Sequence, residues 1–90
     1  MKPARSAKNN AGVPRKSPAR LRYAVVIEKA DGNYSAYVPD LPGCVATART
    51  RPLALKRIAE AIDLHLAGMR EDGQRIPRPT ARAEYVDAVA

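Results

Sequence analysis

The run Val38-Pro39-Asp40-Leu41-Pro42-Gly43-Cys44 limits the folds open to this chain more than any other segment. Its two prolines fix φ and remove two backbone donors, so no helix or central strand can run through it. Gly43 accepts positive φ directly after Pro42, and the Asp40 side chain can bond its own backbone. The chain must reverse here within a few residues, and the segments on either side are expected to lie against each other.

Those segments read as strands. In Tyr34 to Val38, the residues Tyr34, Ala36 and Val38 share one face, and Ser35 and Tyr37 share the other. Cys44 to Arg49 carries Val45 and Thr47 as β-formers. Further upstream, residues 21–29 alternate as well. Leu21, Tyr23, Val25 and Ile27 point one way; Arg22, Ala24, Val26 and Glu28 point the other. The intervening Ala30-Asp31-Gly32-Asn33 has an Asp-Gly pair suited to a tight hairpin turn.

A helix over roughly 51–72 follows. Thr50 suits the N-cap, and Pro52 fits the first turn, where its missing N–H is not needed. Leu55, Ile58, Ala59, Ile62, Leu66 and Met69 form the expected apolar stripe. Gly73 suits a left-handed C-terminal stop. Ile76-Pro77-Arg78-Pro79 reads as a loop, and Ala83 to Val89 as a last short strand. The predicted fold class is α+β, a two-layer β-β-β-α-β arrangement: an antiparallel hairpin sheet with one amphipathic helix on one face. The other sheet face is left bare, yet the first strand is apolar on both sides. A second copy or a partner protein is expected to cover it.

Charge divides the chain in two. Residues 1–22 hold seven of the 16 basic residues and none of the nine acidic ones, so the remainder balances nine against nine. Residues 1–20, with three prolines and no apolar periodicity, read as a disordered basic tail, and 21–90 as the folded domain. A tail of this kind is either inert and solubilising or a weak electrostatic arm for nucleic acid, with Arg15, Lys16 and Arg20 as the candidate contacts.

A chain of 90 residues has room for one domain, and four Tyr with no Trp or Phe make its core aliphatic and modest. Small domains compensate with disulfides, metals or oligomerisation. One Cys and one His exclude an internal disulfide and a Cys/His zinc site, so a homodimer is expected. The lone Cys suits a reducing cytoplasm. No apolar run is long enough for a membrane helix, and no apolar segment follows the basic start as in a signal peptide.

Catalytic constellations are missing from the pattern. His65 has no nucleophile or orienting carboxylate at helical spacing, since Asp63 two residues away faces elsewhere. Nothing near Cys44 would depress its pKa, which makes it a small core residue. The carboxylates are scattered, and no phosphate-cradling glycine loop or serine elbow occurs. An RNA-recognition motif would need a second helix. The expectation is a non-enzymatic module without cofactor or metal.

The segment Tyr34-Ser35-Ala36-Tyr37-Val38-Pro39-Asp40-Leu41-Pro42-Gly43-Cys44-Val45-Ala46-Thr47 resembles the signature of HicB-type antitoxins. The likeness continues through Thr50, Ala54, Ile58, Ala59, Glu60, Ala61 and Ile62 to Gly73 and Ile76-Pro77-Arg78-Pro79, covering about residues 22–88. It implies a degenerate ribonuclease-H-like sheet with one helix. It also implies a type II toxin-antitoxin role: binding a small HicA-like, mRNA-cleaving toxin and masking its active site. Strand edges and exposed aromatics are common anchors for such contacts, so Tyr34, Tyr37, Asp40 and Leu41 are the expected partner-binding residues. The alternatives are an orphan dimeric module of the same fold, and a nucleic-acid binder acting through the tail. The chain departs from the family pattern at Ala48, where many relatives have Gly, and at the basic helix start Arg49-Thr50-Arg51. No helix-turn-helix or ribbon pattern for DNA is legible within it.

Overall fold

Three glycines at positive φ mark where this chain stops and turns: Gly32 at 76°, Gly43 at 85° and Gly73 at 70°. The computed structural model describes residues 20–90. Within them β1 (Val26–Ala30), β2 (Asn33–Tyr37), β3 (Val45–Ala48) and α1 (Arg51–Glu71) follow in that order. The strands form one antiparallel sheet in the order β1-β2-β3. The fold is therefore α+β, a hairpin sheet followed by one helix, as the sequence predicts. The proposed tail over 1–20 lies outside the described residues except for its last position, the exposed Arg20.

The Asp31-Gly32 hairpin closes with Ala30 opposite Asn33. The proline-rich reversal proves to be two turns in series. Leu41 N donates to Val38 O at 3.0 Å, and Cys44 N donates to Leu41 O at 3.0 Å. Each turn has Pro at its second position. The second also has Gly43 at its third, the residue types of a type II turn. Val38 N donates to Cys44 O at 3.3 Å, closing the pair onto the sheet one residue beyond the Tyr37–Val45 pair.

Both helix ends agree with the sequence signals. Thr50 is the N-cap, its hydroxyl accepting from Leu53 N at 3.2 Å, with Pro52 in the first turn. At the other end Gly73 N donates to Arg70 O, and Gln74 N to Met69 O. These are the two bonds of a Schellman stop, which satisfy otherwise orphaned carbonyls. No acidic residue lies in the first turn, so Arg51 opposes the helix dipole while Arg70 at the far end complements it.

The core lies between α1 and one face of the sheet. Ala36, Val38, Leu41, Cys44, Ala48, Ala54, Ile58 and Leu66 are buried, with Tyr23, Val25, Ile27, Tyr34 and Ile62 packed against them. The helix stripe differs from the expected one. Ala54, Ile58, Ile62, Leu66 and Met69 line it, whereas Leu55 (53% exposed) and Ala59 do not. Ala54 has no exposed surface, because its short side chain is what lets the helix approach the sheet. Leu55 and Ala59 sit about 100° further round the helix.

Two further expectations are corrected. Residues 21–25 are not part of β1. They overhang it, because β2 has no partner to offer beyond Tyr37, where the chain enters the double turn. The final strand over 83–89 does not form: residues 82–90 are exposed and pair with no strand in the described chain. A strand needs an edge to hydrogen-bond to, and this segment reaches none among the described residues.

Candidate functional site

The register of the sheet settles which side chains stand together on its uncovered face. Val26 pairs with Tyr37, and Tyr37 pairs with Val45. These three therefore form a transverse row on the face opposite α1. The adjoining outward row is Glu28, Ser35 and Thr47, all polar. Inward, the corresponding rows are Ile27–Ala36–Ala46 and Lys29–Tyr34–Ala48. Tyr37 is 40% exposed and Val45 is 63% exposed. An exposed valine next to an exposed tyrosine, rimmed by small polar groups, has the composition of a protein contact.

The four residues expected from the sequence take different places. Tyr37 stands at the centre of the outward row. Tyr34 is on the inward face, half-buried against the core. Leu41 is 1% exposed and is one of the largest fully buried side chains, so it holds the double turn from inside and offers no surface. Its backbone supplies both the donor of the first turn and the acceptor of the second, while its side chain joins the core cluster. Arg15 and Lys16 fall outside the described residues; Arg20 is exposed.

Asp40 acts as a clasp. Its Oδ2 accepts from Thr80 N at 2.9 Å and from Ala81 N at 3.0 Å, while its Oδ1 accepts from the Thr80 hydroxyl at 2.7 Å. The Ala81 N–H, then the Thr80 hydroxyl and the Thr80 N–H, hold its carboxyl below the usual value. Close by, the Tyr23 hydroxyl donates to Pro77 O. Burial, then the Asp40 carboxylate, raise the phenol pKa, with Arg70 acting in the opposite direction. The segment after the helix is thereby tied to both the double turn and the chain before β1. The sequence suggests a turn or contact role for Asp40; no local signal links it to a threonine forty residues on.

The Cys44 thiol is buried, and burial raises its pKa, which leaves it unreactive. Among the described residues no three of His, Cys, Asp and Glu come together as metal ligands. No helix among them is long and apolar enough to cross a membrane.

A hairpin sheet with one covering helix, a sheet face on which Tyr37 and Val45 are exposed and a clasped double turn define a small domain of the α+β class. Residues 23–89 match the family described as the HicB-like antitoxin of bacterial toxin-antitoxin systems, and the chain belongs to that family. Its relatives span viruses, archaea and bacteria. It is 35% identical over 67 residues to an uncharacterised 14.9 kDa protein from the rep-hol intergenic region of Haemophilus phage HP1, covering 74% of this chain and 50% of the phage protein. It is 38% identical over 69 residues to a UPF0150 protein of Thermoplasma acidophilum, covering 76% of this chain and all of that protein. A UPF0150 protein of Archaeoglobus fulgidus is 42% identical over 59 residues, covering 62% of this chain and 86% of its own length. The chain thus spans about half of the phage relative and the whole of the Thermoplasma one.

Proposed function

We propose that this chain is the antitoxin of a type II pair: it binds a small HicA-like, mRNA-cleaving toxin and covers the toxin's active site, without catalysis of its own. The observation that carries this reading is the row Val26–Tyr37–Val45, in which Tyr37 and Val45 are exposed and Val26 is half-buried, on the sheet of a chain whose family is one of antitoxins. An aromatic anchor flanked by β-branched side chains buries a large area at low entropic cost. Tyr37 makes the central contact. Tyr34, Asp40 and Leu41 serve it indirectly, by fixing the strand and the turn behind it. The protein works in a reducing cytoplasm, where its buried thiol stays free.

A second copy is part of the same reading. The apolar core is short, and the uncovered face and sheet edges leave more surface to bury than one chain can. We propose a homodimer as the form that meets the toxin.

The test is co-expression with a HicA-like toxin, sought first as a small basic protein encoded beside this chain. Growth should be arrested by that protein alone and restored by the pair, which should co-purify. The Tyr37→Asp variant should keep the far-ultraviolet circular dichroism of the parent and fail to restore growth. Full rescue by Tyr37→Asp would move the contact off this face. An active neighbouring toxin that the parent chain neither binds nor neutralises would overturn the reading itself.

A further inference from the structure

Among the described residues, two segments rich in strand-forming residues are left without strand partners. One is 21–25, LRYAV, which overhangs β1 past the last Val26–Tyr37 pair. The other is 83–89, AEYVDAV, whose Tyr85 (99%), Val86 and Val89 are almost wholly exposed. Both have the β-branched and aromatic content of strands. They meet at one place. A cleft of about 540 Å³ has residues 22–24 on one wall and 79–83, the root of the tail, on the other.

Their charges are complementary. The overhang and the residue before it carry Arg20 and Arg22 with no acid; residues 83–90 carry Asp87 and Glu84 with no base, Glu84 lying 3.3 Å from the exposed Arg82 at the root. The far edge of the sheet is less open, since the Arg57 guanidinium donates to Thr47 O on β3 at 2.9 Å.

The root of the tail is fixed. Asp40 holds Thr80 and Ala81, and Tyr23 holds Pro77, so the tail leaves the domain from a defined point. From Thr80 to Val86 there is no Gly, Pro, Asn or Asp that would turn it back onto its own overhang.

We propose that residues 83–89 are an exchange arm, adding a strand to the 21–25 overhang of a second copy of this chain, each copy giving and receiving one arm. Such an exchange is reciprocal about a two-fold axis and closes at two chains. It satisfies backbone groups that one chain leaves unpaired, and it places an acidic strand beside a basic one. The arm covers the β1 end of the sheet, leaving the Tyr37–Val45 part of the outer face free.

This inference rests on the homodimer proposed above, and the experiment separates the two. Sedimentation equilibrium is run on the full chain and on the single variants Val86→Pro and Asp87→Pro. In a strand, adjacent N–H groups point to opposite edges, so one of these two prolines must remove a donor to the partner chain. Since the arm contacts little of its own domain, both variants should keep the parent's circular dichroism. The full chain should be dimeric, and dimerisation of at least one variant should be weaker by about tenfold or more, because both arms of the dimer carry the proline and two ladder hydrogen bonds are lost. A monomeric full chain would overturn both the dimer and the exchange. A dimer that neither proline weakens would overturn the exchange alone and leave the dimer standing.

Discussion

Asp40 and Thr80 stand forty residues apart and share two hydrogen bonds, one from the Thr80 N–H at 2.9 Å and one from its hydroxyl at 2.7 Å. With the Ala81 N–H at 3.0 Å, a single carboxylate accepts three donors from one strap. The double turn is thereby locked to the segment that leaves the helix, and the outer sheet face and the tail take their relative places from that lock.

The clasp predicts how stability depends on pH. Asp40's carboxyl titrates below its unfolded value of about 3.9, so the folded state favours the ionised form. Its contribution is then fully present above pH ~4 and is lost as pH falls through the depressed folded value. Asp40→Asn keeps one acceptor oxygen and loses the charge. It should be less stable than the parent at neutral pH, and the gap should close in acid. Urea midpoints measured from pH 7 downward check this, and a gap that stays constant in acid would show that the carboxylate's charge is irrelevant.

Gly43 should be sensitive through its backbone alone. At φ 85° an L side chain is strained, yet a Cβ there would meet no atom within 4 Å. Gly43→Ala should therefore cost about 1–2 kcal/mol, the penalty of left-handed φ without a clash, and Gly43→Asn should cost less because Asn tolerates that region. Denaturant unfolding of both variants reads this directly. Equal losses would point to a contact rather than to φ.

Much of the fold could be read from residues that act over a few positions. Asp31-Gly32, the two proline turns, Thr50 and Gly73 each specify a local geometry with their own side chain or missing Cβ, and each turn or cap forms where they stand. The outward placing of Tyr37 follows from alternation in the same way. What alternation could not give is the company Tyr37 keeps. Val26 and Val45 join it only because the loops on either side set the register. The Asp40–Thr80 clasp and the burial of Leu41 depend on how distant segments come together, so no local pattern carries them. Residues 21–25 and 83–89 have strand composition and no strand partner among the described residues, which is why a period-two pattern indicates more strand than the sheet contains.

The helix interface turns on Ile58, which has no exposed surface and belongs to the buried cluster that also holds Ala36 and Ala48 of the sheet. Removing its side chain leaves a cavity between two rigid layers. Ile58→Ala should cost about 2–5 kcal/mol and Ile58→Val about 0.5–1.5 kcal/mol. In a domain this small the first loss approaches the whole stability. Thermal unfolding should show Ile58→Val as a cooperative transition at lower temperature and Ile58→Ala as largely unfolded at 37 °C. A cooperative, near-parental melt for Ile58→Ala would mean that the helix is held elsewhere.

Val45 and Leu64 separate a specific face from general stickiness. Both are exposed apolar residues, at 63% and 76%, but Val45 adjoins Tyr37 on the sheet whereas Leu64 lies on the solvent side of α1. Neither is buried in the single chain, so Val45→Lys and Leu64→Gln should each change stability by about 0.5 kcal/mol or less. Their effects on toxin capture should differ. Val45→Lys removes a side chain worth about 1.5 kcal/mol when fully buried and places a charge that the contact must desolvate, so capture should weaken by about tenfold or more. Leu64→Gln should leave capture unchanged. Titration of each variant against the co-expressed toxin gives the comparison. Equal weakening by both would mean that exposed apolar surface at large drives the contact; weakening by Val45→Lys alone ties it to the row through Tyr37.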